Sequence, residues 1–182
     1  MDADLQTEVL FIGGRSGVGK STVAAEVSHL LASATVKHAL IEGDNLDQAY
    51  PAPWREGIDL AEQNLAAMWK NYRRAGYRRL IYTNTVSVLQ MEPLVAALGG
   101  TVRSVGVLLT ASDESARSRL ALREIGSAFD EHVQRSAAAA RKLEAEAGPA
   151  VHRVDTDGRT INQIARDVVA LTGWPEPSGH SA

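Results

Sequence analysis

Short apolar runs alternate along this chain with longer stretches whose apolar residues recur every three or four positions. The runs at Val9–Ile12, His38–Ile41, Arg79–Thr83, Val105–Leu109 and Val151–Val154 predict five strands. The periodic stretches at about 20–33, 59–75, 91–98, 113–124, 130–147 and 160–172 predict six helices. Asp59-x-x-Glu62 and Thr160-x-x-Gln163 have the spacing of a reciprocal capping box, and Ser112 precedes Asp113 and Glu114 at another helix start. Gly76, Gly99-Gly100 and Gly173 mark helix ends. Strands alternating with helices imply an α/β fold with a parallel sheet covered on both faces. Ligands of such sheets bind at the carboxyl ends of strands. That rule selects the loop after the first strand, Glu42–Asp47, Asn84–Ser87 and Thr156–Gly158.

The loop after the first strand carries chemistry. Gly14 to Ser21 reads G-R-S-G-V-G-K-S and matches G-x-x-x-x-G-K-[ST] between a predicted strand and a predicted helix. Its glycines let successive backbone N–H groups curve around a polyphosphate, and the following helix directs its positive end at the same anion. Gly14, Arg15, Ser16, Gly17, Val18, Gly19, Lys20, Ser21 and Thr22 are the expected nucleotide contacts. Lys20 is expected to reach the β- and γ-phosphates of ATP, and the Ser21 hydroxyl to bind Mg²⁺.

Composition narrows the partners. A length of 182 residues suits one domain, expected over 1–174, with a proline- and glycine-containing tail at 175–182. A net charge of −3 gives no push toward nucleic acid or an anionic membrane. There is no cysteine, which removes disulfides and thiolate catalysis. The acidic start and the lack of any long apolar run predict a cytoplasmic protein without a membrane span. Oligomeric state is not legible.

At the exit of the second strand, I-E-G-D-N-L-D places Asp44 on the ligand edge. A carboxylate there could orient an acceptor hydroxyl or take its proton, and Glu42 and Asp47 are rivals for that role. An Asx-turn or a helix cap is the structural alternative for Asp44. The phosphate loop together with this acid resembles the small P-loop kinases that phosphorylate metabolites and antibiotics. E-G-D-N-L resembles the D-G-D-N segment of adenylylsulfate kinases, although the arginines and the F-I-S-P-like segment of that family are not present. Asp44 to Pro51 is similar to the segment of chloramphenicol phosphotransferases that carries their catalytic aspartate. Tyr82 to Glu144 and the ending T-D-G-R-T-I-N-Q-I-A resemble tunicamycin-resistance ATP-binding proteins. The resemblance implies a three-layer P-loop NTPase fold with strand order 2-3-1-4-5 and a helical lid.

Arg119 and Arg123 lie four apart and share a helical face. Resemblance to the kinase lid, here about 117–136 with a break at Gly126, implies that they neutralise the transferred phosphoryl group; a solvated face paired with Glu124 and Glu131 is the alternative. No apolar strand is expected to end in a carboxylate, so Mg²⁺ is expected to rely on Ser21, phosphate oxygens and water, with Asp44 able to join through a water. D-T-D-G at Asp155–Gly158 reads as the turn into the last helix, and the resemblance places it beside adenine. An acceptor is expected between Tyr50, Pro51, Pro53, Trp54 and Arg55 on one side and Tyr82, Thr83, Asn84 and Thr85 on the other. The expected function is ATP-dependent phosphoryl transfer to a hydroxyl of a small molecule, with Lys20, Asp44, Arg119 and Arg123 as catalytic residues. A non-catalytic nucleotide- and drug-binding resistance protein and a nucleic-acid end kinase are the alternatives.

Overall fold

β1 (Thr7–Gly13) runs through the centre of a five-stranded parallel sheet in the computed structural model, which describes residues 6–122 and 129–175. Its neighbours are β3 (Arg79–Thr83) and β4 (Val102–Thr110). β2 (His38–Glu42) and β5 (His152–Asp155) form the edges, giving the order β2-β3-β1-β4-β5. This is the expected order, and it puts a switch point at the carboxyl end of β1.

Alternation along β1 divides the core. Leu10 and Ile12 pack beneath α1 (Lys20–Ser33) and α6 (Ile161–Thr172), with Val23, Val27, Ile164 and Val168. Val9 and Phe11 face the other way, toward Leu65 and Trp69 of α2 (Leu60–Arg74) and Leu94 and Leu98 of α3 (Met91–Leu98). A strand buried on both faces reads as an unbroken apolar run, as V-L-F-I does here. Trp69 is fully buried, and its indole N–H donates to Thr7 Oγ1 at 3.2 Å. Leu143 of α5 (Phe129–Glu146) closes a third cluster with Leu108 and Val151.

α4 (Asp113–Ala121) and α5 follow β4. Arg123 and Gly126 lie outside the described residues, as do 176–182 of the tail. Among the described residues, no helix is long and apolar enough to cross a membrane.

One expected capping box forms and the other does not. The Thr160 side chain accepts from the Gln163 amide while the Gln163 side chain accepts from the Thr160 amide. Ser112 likewise caps α4 by accepting from Ser115 N. Asp59 makes no cap bond, because its backbone (φ −82°, ψ 58°) is far from the extended conformation that a cap requires. Its side chain lines a cavity with Glu62 and Trp54 instead. Thr160→Ala should therefore cost about 1 kcal/mol in denaturant unfolding, and Asp59→Ala well under that. Equal losses would contradict this assignment of the caps.

Candidate functional site

The loop between β1 and α1 is held from behind. Arg15 is almost completely buried, although nothing in the motif asks for a particular residue there. Its Nε donates to Ser136 Oγ of α5 at 2.9 Å, and its Nη1 pairs with Asp113 of α4. Ser136 Oγ in turn donates to the Ser16 carbonyl at 2.8 Å. The guanidinium holds the exposed Asp113 carboxyl below its usual range, first through the hydrogen bond and then through charge. α4 rests directly on the loop at Gly17, where φ is +84° and a Cβ would meet the Ala116 carbonyl oxygen at 2.6 Å. Only glycine suits both the backbone angle and the gap.

The front of the loop faces the ligand edge. α1 starts at Lys20 with Gly19 as its N-cap residue and no acid in its first turn, so its terminal amides suit an anion. Lys20 Nζ donates to the carbonyls of Gly14 (2.9 Å) and Arg15 (3.3 Å).

The Ser21 hydroxyl donates to Glu42 Oε2 at 3.3 Å, and Thr83 Oγ1 donates to the same oxygen at 2.6 Å. This corrects the expectation that no apolar strand ends in a carboxylate: β2 reads H-A-L-I-E and closes on Glu42. A hydroxyl beside a carboxylate is a hard-oxygen donor set that fits Mg²⁺ shared with phosphate oxygens and water. Among the described residues, no cluster of three or more His, Asp or Glu could hold a metal by itself.

Asp44 sits in the short 3-10 turn Gly43–Asn45 and accepts from Asn84 Nδ2 at 2.9 Å. Its outer edge meets solvent, yet surrounding atoms strip enough water from it to raise its pKa. Lys20 opposes that shift, and Glu42 and Asp47 reinforce it. Two contacts fix the turn. Asn64 of α2 donates to the Leu46 carbonyl at 2.6 Å. At Gly43 a Cβ would lie 2.4 Å from the Tyr82 hydroxyl oxygen and 2.8 Å from the Thr83 carbonyl oxygen, so the turn lies flat on β3.

Asp44 opens on a cavity of about 660 Å³ shared with Asp47, Trp54 and Asn84. A smaller recess of about 140 Å³ adjoins it, lined by Asp59, Glu62 and Tyr82. Of the expected acceptor residues, Trp54, Asn84 and Tyr82 line this space. Tyr50 is 99% exposed and lines neither part. Pro53 is buried, and Thr83 is turned to Glu42. Tyr82 is a core residue, edge-on to Phe11, with its hydroxyl at the recess. Burial pushes that phenol well above its ordinary pKa, helped by Glu62, Asp44 and Asp47.

On the far side of the loop, Arg119 donates to Val18 O (3.2 Å) and to Thr156 Oγ1 (2.9 Å). It lines a cavity of about 350 Å³ with Gly19, Thr22, Thr156 and Arg159. That position is beside the loop's outer wall, at the T-D-G turn. Asp157 of this turn accepts from Ser112 N at 2.8 Å, which holds its carboxyl below the usual range. Arg135 pairs with Glu131 one turn away, both exposed. The sequence reading missed the bracing role of Arg15 and Ser136, the place of Arg159, and the Glu42–Ser21 contact. Only the last had a sequence signal, a carboxylate closing an apolar run.

A model of the CobQ/CobB/MinD/ParA nucleotide binding domain matches residues 9–147. No curated protein matches the chain. Among solved structures, the tunicamycin resistance protein of Deinococcus radiodurans is similar at 19% identity, covering 95% of this chain and 99% of that one, with a TM-score of 0.65. A gluconokinase from Sinorhizobium meliloti is 22% identical, covers 91% of both chains and has a TM-score of 0.59. Shikimate kinase from Acinetobacter baumannii is 15% identical, covers 92% and 93%, and has a TM-score of 0.54. These likenesses establish a P-loop small-molecule-kinase-like fold.

Ser136→Ala would leave Arg15 Nε and the Ser16 carbonyl short of a buried partner. A loss of about 1–3 kcal/mol on unfolding is expected, together with weaker ATP binding by titration calorimetry. Unchanged values for both would remove Ser136 from the brace.

Proposed function

This chain belongs to the CobQ/CobB/MinD/ParA nucleotide-binding family, and from that premise we propose that it transfers the γ-phosphoryl group of ATP to a hydroxyl of a small organic molecule. The observation that carries the reading is Asp44, a carboxylate within the field of Lys20 that opens on a cavity the size of a small-molecule pocket. Likeness to kinases in fold supports the phosphotransferase class and leaves the acceptor to the cavity.

The residues divide the work by position. Amides of the phosphate loop and of the first turn of α1 bind the phosphates. Lys20 exchanges its contacts with loop carbonyls for the β- and γ-phosphate oxygens. Ser21 and Glu42 would hold Mg²⁺, which when bound neutralises phosphate charge. Arg119 and Arg159 lie where the nucleoside end would rest. Arg119, bonded to the loop carbonyl of Val18, would bring its positive charge to the bound nucleotide from that side, and the part expected of Arg123 in neutralising the transferred phosphoryl group is kept as a proposal. Asp44 aligns the acceptor hydroxyl and receives its proton. The acceptor oxygen bonds to the γ-phosphorus, the bond from that phosphorus to its bridging oxygen breaks, and ADP leaves. Catalysis here is positioning plus electrostatics.

Lys20→Ala should abolish phosphoryl transfer from labelled ATP while leaving the folded circular dichroism spectrum intact; full activity in that variant refutes the reading. Asp44→Asn should lower kcat far more than ATP affinity. Tight ATP and drug binding with no label transfer to any acceptor would identify a binder instead.

The raised pKa of Asp44 sets the sign of two pH effects. Activity should fall as pH drops through that pKa, on a limb above the ordinary aspartate value of about 3.9. Stability runs the other way. A raised pKa means that the fold favours the protonated acid, so the contribution is present at low pH and lost as pH rises through the folded-state value. Asp44→Asn should therefore melt no lower than the parent at pH 7, with any difference shrinking in acid. A clearly lower Tm would show that the carboxylate is structural.

A further inference from the structure

We propose that the phosphoryl acceptor is a cation: an alcohol that also carries at least one protonated amine, of the size of an amino sugar or a small amino-glycoside. The proposal rests on the phosphoryl-transfer reading for the reacting hydroxyl alone. The amine preference is a property of the cavity.

The cavity at Asp44, about 660 Å³, and the recess of about 140 Å³ share Asp47, Trp54, Asn84 and Gln90 as walls, so the two spaces lie side by side. Four carboxylates line them: Asp44 in the main cavity, Asp47 in both parts, and Asp59 and Glu62 in the recess. The remaining polar lining is uncharged: the amides of Asn45, Gln48, Asn84 and Gln90, the Trp54 indole and the Tyr82 hydroxyl. Among the described residues, no lysine or arginine lines either part. A site for an acidic acceptor needs a cation to meet its carboxylate or phosphate. Here such a ligand would enter against several like charges, an arrangement that discriminates strongly.

Trp54 points to the same class independently. This indole is 59% exposed, an unusual place for a tryptophan, and it stands on the lining of both parts of the cavity. An aromatic face beside carboxylates is the standard receptor for an ammonium group, through cation–π attraction. The field of the carboxylates reaches the recess floor, because Glu62, Asp44 and Asp47 all help to keep the proton on the Tyr82 hydroxyl.

The geometry also orders the ligand. The reacting hydroxyl belongs at Asp44, on the phosphate-loop side. The ammonium belongs at the far end, between Trp54 and the Asp59–Glu62 pair, which are N-cap and first-turn residues of α2. Asp59 forms no capping bond there, so its carboxylate remains available to a ligand.

The test is titration calorimetry on the full chain with a non-hydrolysable ATP analogue, at low and moderate salt. The probes are matched pairs: glucosamine against N-acetylglucosamine, and 2-deoxystreptamine against its di-N-acetyl form, with gluconate as the anionic comparison. Acetylation removes the charge and keeps the skeleton. The free amines should bind about tenfold or more tightly than their acetylated partners, and the preference should shrink as salt rises. The Asp59→Asn, Glu62→Gln double variant should lose most of the preference. If it does not fold, Trp54→Leu, at an exposed side chain, should reduce it. Equal or tighter binding of the acetylated forms or of gluconate overturns the proposal, as does the failure of every amine to bind. An amine preference with no binding of the ATP analogue would uphold the cavity's specificity and sink the phosphoryl-transfer reading instead.

Discussion

Everything at the ligand edge depends on how the phosphate loop is gripped from behind. Arg15 reaches away from the ligand side and ties the loop to α4 through Asp113 and to α5 through Ser136. Ser136 closes the triangle by bonding to the Ser16 carbonyl. A buried guanidinium is costly to place, and here Nε and Nη1 each find a partner, one of them a carboxylate. The result is a loop whose shape is set by two helices whose contacts lie 98 and 121 residues later in the chain. A nucleotide would find the cradle already formed, which lowers the ordering cost of binding.

The two sides of that loop differ in charge. Arg119 and Arg159 stand on the α6 side, where a nucleotide's far end would lie. Carboxylates gather on the β2 and β3 side around Trp54. Lys20 lies between these regions and is felt at Asp44. Under the proposed phosphoryl transfer, this polarity would keep an anionic donor apart from an acceptor of opposite or no charge.

Much of the fold was legible because the signals were local. Strands buried on both faces show as apolar runs, and β3 was read to the residue. β4 begins at Val102, three residues before its apolar run, because Arg103 and Ser104 are exposed yet still pair with β1. Their pairing leaves no hydrophobic trace. The Asp59 box does not form although its spacing is right, because spacing says nothing about backbone angles. Glu42 falls outside the second predicted strand because the apolar run stops at Ile41, one residue short of the end of β2. Arg15 carried no signal at all: its burial depends on a serine 121 positions away. The cavity's charge was visible only in pieces, since Asp47, Asp59 and Glu62 converge through the turn and α2 rather than through any motif.

The contact between Gly43 and Tyr82 constrains how this chain could diverge. Position 43 has no room for even a methyl group while a phenol occupies the floor below it, since both the Tyr82 ring carbon and its oxygen lie within 2.5 Å of the missing atom. Removing the hydroxyl alone would leave the ring in the way. A chain with a side chain at 43 would thus need a much smaller residue at 82 first, and would then lose the floor of the recess. Descendants that bind differently shaped molecules would have to pass through that paired replacement, in that order.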